Sequence, residues 1–375
     1  MKFGIITHAI HKVKNGEIYA YEPYVREMNL WGNYVDEIII LAPISIEEII
    51  SIEIKYQHPN VKIVSIPNFN STSLKNILKS LLVIPKICLS IYTIMKYSDH
   101  IHLRCPGNIG LLGVLVQILF PSKSKTAKYA GNWDPKSKQP VSYKFQKWVL
   151  RAPFLSKKMK VLVYGKWPNQ TKNIVPFFTA SYFQKEIAVI PVKALTSKVK
   201  LMYVGGLTKS KQPLLSVKSS HELIKKGYNV QLDLYGEGIM RNEVENYIKY
   251  HQLENSIFLH GNVNKEAIKN AFLETHFLIF ISKSEGWPKV VAEAMFWRCL
   301  PISSNVSCVS YMLNREERGS LVHVHANEKE VSKIIINYIK NENIYQKKVL
   351  SAQIWSQKFT LDRFESEIKR ILEND

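Results

Sequence analysis

Two glutamates stand eight positions apart in the segment FLIFISKSEGWPKVVAEAMFWRCLPISS: Glu285 and Glu293. An ionised carboxylate is an acceptor suited to paired hydroxyl donors. Pro288 lies between them and reads as the start of a helix, where its missing N–H costs nothing. The free amides and positive dipole end of such a helix favour a phosphate. At roughly 1.5 Å per residue the two carboxylates are about 12 Å apart at most along the chain. That spacing suits a nucleotide sugar, with one carboxylate at sugar hydroxyls, one at ribose hydroxyls and phosphates between. It equally suits a solvated Glu285 and an ordinary helical Glu293 stabilised by the dipole. Glu293 is flanked by Val290, Val291, Ala292, Ala294 and Met295, and a carboxylate among apolar neighbours needs a partner.

The elements that must position these residues form a regular series. In the second half, 200–204, 230–235, 257–260, 277–281 and 300–303 read as strands, with helices over 214–226, 241–252, 265–274 and 288–297. Four strand ends carry glycine: Gly205-Gly206, Gly236 and Gly238, Gly261, Gly286. Ligands of open parallel sheets bind at the carboxyl ends of strands, and glycine admits close backbone approach. The first half alternates similarly. Strands are predicted over 2–7, 37–42, 61–66, 100–103, 128–130 and 161–163, with helices over 22–31, 73–97 (broken near Pro85) and 108–119. Residues 8–21 read as a polar loop containing Gly16. Strands alternating with helices indicate parallel βαβ units. The expected fold is therefore α/β, with two Rossmann-like domains facing across a cleft and a boundary within 182–198, where the pattern lapses around Pro191. The division predicted is 1–182, 183–355 and a C-terminal helix over 356–375 that returns to the first domain.

The chain has 375 residues, 46% of them apolar, enough for two cores. No apolar run reaches the roughly 18–20 residues of a spanning helix, and the start MKFGIITHAI reads as a strand, not a signal peptide. A cytoplasmic protein is expected. Cys88, Cys105, Cys299 and Cys308 match no metal or redox spacing. The net charge of +20 is uneven: residues 1–195 hold 26 Lys and Arg against 11 Asp and Glu. Between His100 and Lys185 there are 15 basic residues and one acidic residue, Asp134. Such a field attracts polyanions: nucleic acid, an anionic membrane or a charged substrate.

The motif E-G-x-P-x-x-x-x-E-A-M at 285–295 resembles the signature of the group 1 retaining glycosyltransferases (family 4) of the GT-B fold. Upstream segments match that family in order: Tyr203-Val204-Gly205-Gly206-Leu207 with Lys211, Leu234-Tyr235-Gly236-Glu237-Gly238, and Phe258-Leu259-His260-Gly261-Asn262-Val263. The resemblance covers 200–305 and is only topological before about 180. It implies a nucleoside-diphosphate-sugar donor, with UDP as the family's usual nucleotide, and no metal or further cofactor. It implies that Lys211 neutralises the departing diphosphate and that Glu293 binds ribose hydroxyls. Glu285 would contact the transferred sugar, with Gly286 and Trp287 giving backbone contacts to it. Gly205, Gly206, Gly236, Gly238, Asn262 and Val263 would frame phosphate and base, with Gly16 approaching from the first domain. Two departures stand out. The family's Arg after the first glycine is Gly206 here, which leaves Lys209 or Arg298 as substitutes. The family's His in the first domain is missing from the strand end Lys128–Asp134, so Asn132 or Asp134 would supply the polar contact, unless Asn-Trp-Asp is only a turn.

The first domain is then the acceptor side. Arg104, Trp133 and Asp134 are candidate acceptor contacts, although Arg104 equally suits a structural salt bridge. His8 and His11 read as polar loop histidines without a role. Lys75, Lys79, Lys86 and Lys96 punctuate an apolar helix. Lys144 and Lys147, with Tyr143, Phe145 and Trp148, lead toward Arg151, Lys157, Lys158 and Lys160. Cations beside aromatics suit an anionic membrane surface, and no nucleic-acid module is legible. With the resemblance, these features imply transfer of a sugar to a glycan or polyprenyl-diphosphate-linked saccharide in the synthesis of a surface polysaccharide such as lipopolysaccharide or capsule, at the inner face of the cell membrane. The alternatives are a degenerate GT-B protein that binds membrane or polyanion, or a GT-B nucleotide-sugar epimerase. The missing third glycine after Gly236-x-Gly238 argues against a dinucleotide dehydrogenase.

Overall fold

The structure, a computed structural model, describes residues 1–67, 74–191, 193–195 and 198–373, with the backbone alone for 74–82. Two compact units emerge: residues 1–178 with 364–375, and residues 179–363. The side chains of Lys75 and Lys79 lie outside the described residues.

Unit 1 runs β1 (Lys2–Ile6), β2 (His11–Lys14), β3 (Glu17–Tyr21), α1 (Glu22–Gly32), β4 (Glu37–Pro43), β5 (Glu53–Lys55) and β6 (Val61–Ile66). It continues with α2 (Leu74–Tyr97), β7 (His100–Cys105), α3 (Asn108–Val116), β8 (Ser124–Tyr129), α4 (Val141–Arg151), β9 (Met159–Tyr164) and β10 (Ile174–Phe177). Seven strands form one sheet in the order β10-β9-β8-β7-β1-β4-β6, and every pairing in it is parallel. Counted along the sheet strands alone, this is the doubly wound order, reversing between β1 and β7. The central strands are buried on both faces, which is why EIIILA reads as an unbroken apolar run.

Two expectations are corrected here. Residues 8–10 are a loop, but 11–21 are not: β2 and β3 form an antiparallel hairpin, extended by β5. Asn15 and Gly16 both have positive φ (52° and 79°), and an Asn-Gly pair in that conformation turns a two-residue hairpin. The second correction concerns α2, which runs through Pro85 as one 24-residue helix rather than breaking there.

Unit 2 contains β11 (Val199–Val204), α5 (Pro213–Lys225), β12 (Val230–Tyr235), α6 (Arg241–Tyr250), β13 (Ile257–Gly261), α7 (Lys265–Glu274) and β14 (Phe277–Phe280). After these come α8 (Lys289–Phe296), β15 (Leu300–Ser304), α9 (Val309–Met312), β16 (Ser320–Val322), α10 (Glu328–Lys340) and α11 (Glu342–Ser356). Its parallel sheet has the order β13-β12-β11-β14-β15-β16. The order again reverses once, between β11 and β14. A last helix, α12 (Leu361–Glu373), begins in unit 2, and its residues from Phe364 onward belong to unit 1. Both sheets are mixed-class α/β with Rossmann-like winding, in agreement with the fold class read from the sequence. Among the described residues, no helix is long and apolar enough to cross a membrane, and the four cysteines are free thiols.

Candidate functional site

The reversal of strand order in unit 2 leaves an opening at the carboxyl ends of β11 and β14, where adjacent connections leave the sheet in opposite directions. The loops after these two strands supply the pair that meets there. Lys211 Nζ donates to Glu285 Oε1 in an ion pair. The Glu285 side chain is 10% exposed and that of Lys211 29%. Lys211 Nζ also lies 5.0 Å from the centre of the Phe280 ring. The loops are fixed to each other by the Lys283 amide, which donates to Ser210 O (2.8 Å). Ser282 Oγ donates to Ser210 O over 3.3 Å.

The glycine-bearing loops lock together along the same edge. The Gly205 amide donates to Tyr235 O (2.9 Å), the Gly236 amide to Gly261 O (2.8 Å) and the Leu207 amide to Glu237 O (2.9 Å). A Cβ on Gly236 would sit 2.1 Å from Gly205 O, and one on Gly238 2.4 Å from Leu207 O. At these two positions the missing side chain makes room for the neighbouring loop. Gly206 differs: a Cβ there would meet nothing closer than 3.7 Å. Its carbonyl accepts from the buried Tyr203 hydroxyl (2.9 Å), whose pKa is raised by burial and then by Glu285. Gly261 has φ +67°. Exposed Asn262 and half-buried Val263 follow it, before Asn264 caps α7 by accepting from the Ala267 amide (2.9 Å).

Beyond Glu285 the chain is clamped. Gly286 O accepts from Ser307 Oγ and Cys308 Sγ, both at 3.0 Å. Burial pushes the Cys308 thiol up to about 12, so it serves as a neutral donor. Trp287 is buried against Trp355 (ring centres 6.1 Å apart, stacked) and Phe359 (5.6 Å, edge-on). Pro288 caps α8 rather than occupying its first turn. Glu293 has its partner within unit 2: Ser181 Oγ donates to Glu293 Oε1. Arg298 is not a second cation at this edge. It follows the C-terminal end of α8 and donates to Gln353 Oε1 (2.6 Å) and Ile190 O.

Unit 1 has its own reversal, between β1 and β7. His8 follows β1, and its Nδ1 lies 3.0 Å from where a Cβ on Gly107, after β7, would stand. Burial, then the charge of Arg104, lowers its pKa. His8 thus stands beside the reversal, directly after the first strand of the sheet. Arg104 packs over the Tyr24 ring (5.3 Å) with Nη1 3.7 Å from Glu27 Oε2. Glu27 Oε2 also accepts from buried Lys128 Nζ at 2.9 Å. Asn132 Oδ1 accepts from the Asp134 amide (2.9 Å), and Asp134 Oδ1 from the Lys136 amide (2.8 Å), so both side chains shape a turn. Trp133 is buried, edge-on to Tyr129 (4.8 Å), with Nε1 donating to Gln170 Oε1 (3.0 Å). Gly16 sits at the hairpin tip, with nothing within 4 Å of its Cβ position.

Residues 186–353 match the sequence model of the family described as glycosyl transferases group 1. Protein CapJ of Staphylococcus aureus is 24% identical over 237 residues, which are 59% of this chain and 59% of CapJ. HepE of Anabaena, solved in complex with UDP and glucose, superposes with a TM-score of 0.68 over the full length of both chains at 14% identity. TarM of S. aureus, solved with fondaparinux, alpha-GlcNAc-glycerol and UDP, gives a TM-score of 0.57 at 18% identity, over 77% of this chain and 58% of TarM.

Proposed function

We propose that this chain, a group 1 glycosyl transferase of the GT-B fold, moves a sugar from a nucleoside-diphosphate sugar, with UDP as the nucleotide, to a glycan or polyprenyl-diphosphate-linked saccharide. The observation that carries the reading is the Lys211–Glu285 pair at the strand-order reversal of unit 2. A cation and a carboxylate at that opening match the two ends of the reacting bond, diphosphate and sugar. On this reading the donor diphosphate displaces Glu285 from Lys211, and Glu285 turns to the sugar hydroxyls. Glu293 exchanges the Ser181 hydroxyl for ribose hydroxyls. Gly286 and Trp287 offer backbone contacts to the sugar, Gly205, Gly206 and Gly238 border the phosphates, and Asn262 and Val263 border the base. An acceptor hydroxyl attacks the anomeric carbon on the face that the diphosphate leaves. Its proton passes to the departing phosphate oxygen, and configuration is retained. Lys211 stabilises the charge that develops on that oxygen, the main catalytic contribution in such a site. No metal is assigned a step.

Unit 1 takes the acceptor side, with Arg104, Trp133 and Asp134 as candidate acceptor contacts, Asn132 as the polar group in place of the family's histidine at the sugar, and Gly16 as a candidate contact to the diphosphate. TarM, solved with fondaparinux and alpha-GlcNAc-glycerol, suits a glycan acceptor of the kind found in surface polysaccharide synthesis, and the basic excess of unit 1 suits an acceptor presented at the inner face of an anionic membrane. The test is thermal stabilisation by a panel of nucleotides and nucleotide sugars, on the native chain and on Glu293→Ala. Stabilisation by one nucleoside diphosphate and its sugars, lost in the variant, is expected. No shift with any nucleotide would sink the reading.

A further inference from the structure

We infer that α4 and the turn after it form the face by which unit 1 rests on an anionic phospholipid bilayer. The helix buries Gln146, Val149 and Leu150. Its opposite face repeats at helical spacing: Val141 is 81% exposed, Phe145 43% and Trp148 58%. The last two rings stack on each other at 5.8 Å, so they form one projecting apolar ridge. Phe154, in the turn after the helix, is 68% exposed. Large apolar side chains gathered on one exposed face mark an interaction site.

The charge around that ridge selects the partner. Residues 135–178 contain ten Lys and Arg and no Asp or Glu. Lys144 is exposed on the ridge itself, and Lys157 and Lys158 are exposed beyond Phe154. Pro153, next to Phe154, forms part of the wall of a pocket of about 450 Å³ lined by Lys158, Lys160 and Lys172 at the amino ends of β8 and β9. Lysines at a bilayer surface meet lipid phosphates, while Trp and Phe settle among headgroups and upper acyl chains. An acidic protein would suit the lysines, but it offers no acyl layer in which side chains as exposed as Val141, Trp148 and Phe154 can settle. A nucleic acid would suit them too, but Val141 and Phe154 have nothing to do against a phosphate backbone. The bilayer satisfies cations and ridge together. This assignment rests on the membrane-facing acceptor proposed above for its purpose, not for its evidence.

Vesicle co-sedimentation of the full chain tests it without donor or acceptor. Vesicles of phosphatidylcholine alone are compared with vesicles holding about one-third phosphatidylglycerol, at about 0.1 M NaCl. Binding to the anionic vesicles alone is expected. Lys157→Glu with Lys158→Glu lowers it by about tenfold or more, and Phe145→Ser with Trp148→Ser by a similar factor. All four residues are exposed, so folding is retained, and nucleotide-induced stabilisation of each variant reads the donor site separately. Equal binding of variants and native chain would overturn the assignment. So would equal binding to both vesicle types, or binding to duplex DNA with none to vesicles. A failure here with donor stabilisation intact leaves the transferase reading standing.

Discussion

Lys211, on the loop after β11, and Glu285, on the loop after β14, join across the point where the strand order of the second sheet reverses. The pair is half sheltered, so each side chain partly shields the charge of the other. Removing Lys211 strips the site of its cation and leaves the 10%-exposed Glu285 carboxylate facing the diphosphate. Lys211→Ala is expected to lower kcat by about 10²–10³-fold, the usual cost of losing one charge-stabilising group. Lys211→Arg should restore only part of this, because a planar fork does not reproduce a point charge. Initial rates of sugar transfer, or of slow donor hydrolysis, give the comparison. A Lys211→Ala enzyme within threefold of native would remove Lys211 from the chemistry.

Gly206 and Gly236 make a matched pair of tests. A side chain at 206 has room, with its nearest neighbours 3.7 and 3.8 Å away, whereas one at 236 would run into Gly205 O at 2.1 Å. Gly206 has no positive φ, while Gly236 has φ +133°. Gly206→Arg is therefore expected to fold normally and, by adding a cation beside the phosphates, to tighten nucleoside-diphosphate binding by about tenfold. Gly236→Ala is expected to lose roughly 1–3 kcal/mol of stability through backbone strain. Calorimetric titration with UDP and thermal melts separate the two outcomes. Weaker UDP binding by Gly206→Arg would count against phosphates at this edge.

These positions also show what the sequence could and could not display. The strand ends of β11, β12 and β13 are legible because glycine closes each of them, and 230–235 and 265–274 coincide with β12 and α7 residue for residue. The hairpin of β2 and β3 was missed because HKVK and EIYAY alternate polar and apolar residues over only a few positions, which reads as a loop until Asn15-Gly16 is weighed as a turn. Pro85 suggested a break, yet packing on the sheet kept α2 continuous. The partners of charged groups are tertiary facts. Nothing in the local sequence links Glu293 to Ser181, or Arg104 to Glu27. The meeting of His8 with Gly107 likewise depends on β1 pairing with β7.

Three buried histidines set an acid limit on stability. Burial lowers the pKa of His11 from 6.5 to about 4, of His276 to about 4, and of His100 to about 3 with help from Lys160. Below 6.5 the unfolded chain takes up protons that the folded chain refuses. Stability is therefore expected to fall as pH drops from 6.5 toward 4, by up to about 1.4 kcal/mol per pH unit for each histidine. His276 has both ring nitrogens engaged, with the Lys200 amide (3.0 Å) and Ala194 O (3.1 Å). His276→Gln can keep an acceptor and a donor while removing the titration, so its urea midpoint should depend less on pH than the native one. A native midpoint that stays flat between about pH 7 and pH 5 would refute this.

Glu27 holds the buried charge of unit 1. Its Oε2 accepts from Lys128 Nζ at 2.9 Å, and Arg104 Nη1 stands 3.7 Å away. The Lys128 side chain is 1% exposed, and its ammonium faces the rings of Phe364 (4.7 Å), Phe177 (5.4 Å) and Tyr164 (5.5 Å). Aromatic faces attract a cation but do not replace a counter-ion at this depth. Glu27→Gln removes the carboxylate that Lys128 and Arg104 face and is expected to cost about 3–5 kcal/mol, the range for breaking one side of a buried pair. Lys128→Met should cost less. The thioether side chain fills a pocket of aromatic rings, and Glu27 retains Arg104 beside it. Urea unfolding of both variants tests the order. If Lys128→Met is the more damaging, the ammonium's contacts with the three rings, rather than the ion pair, hold this part of the core.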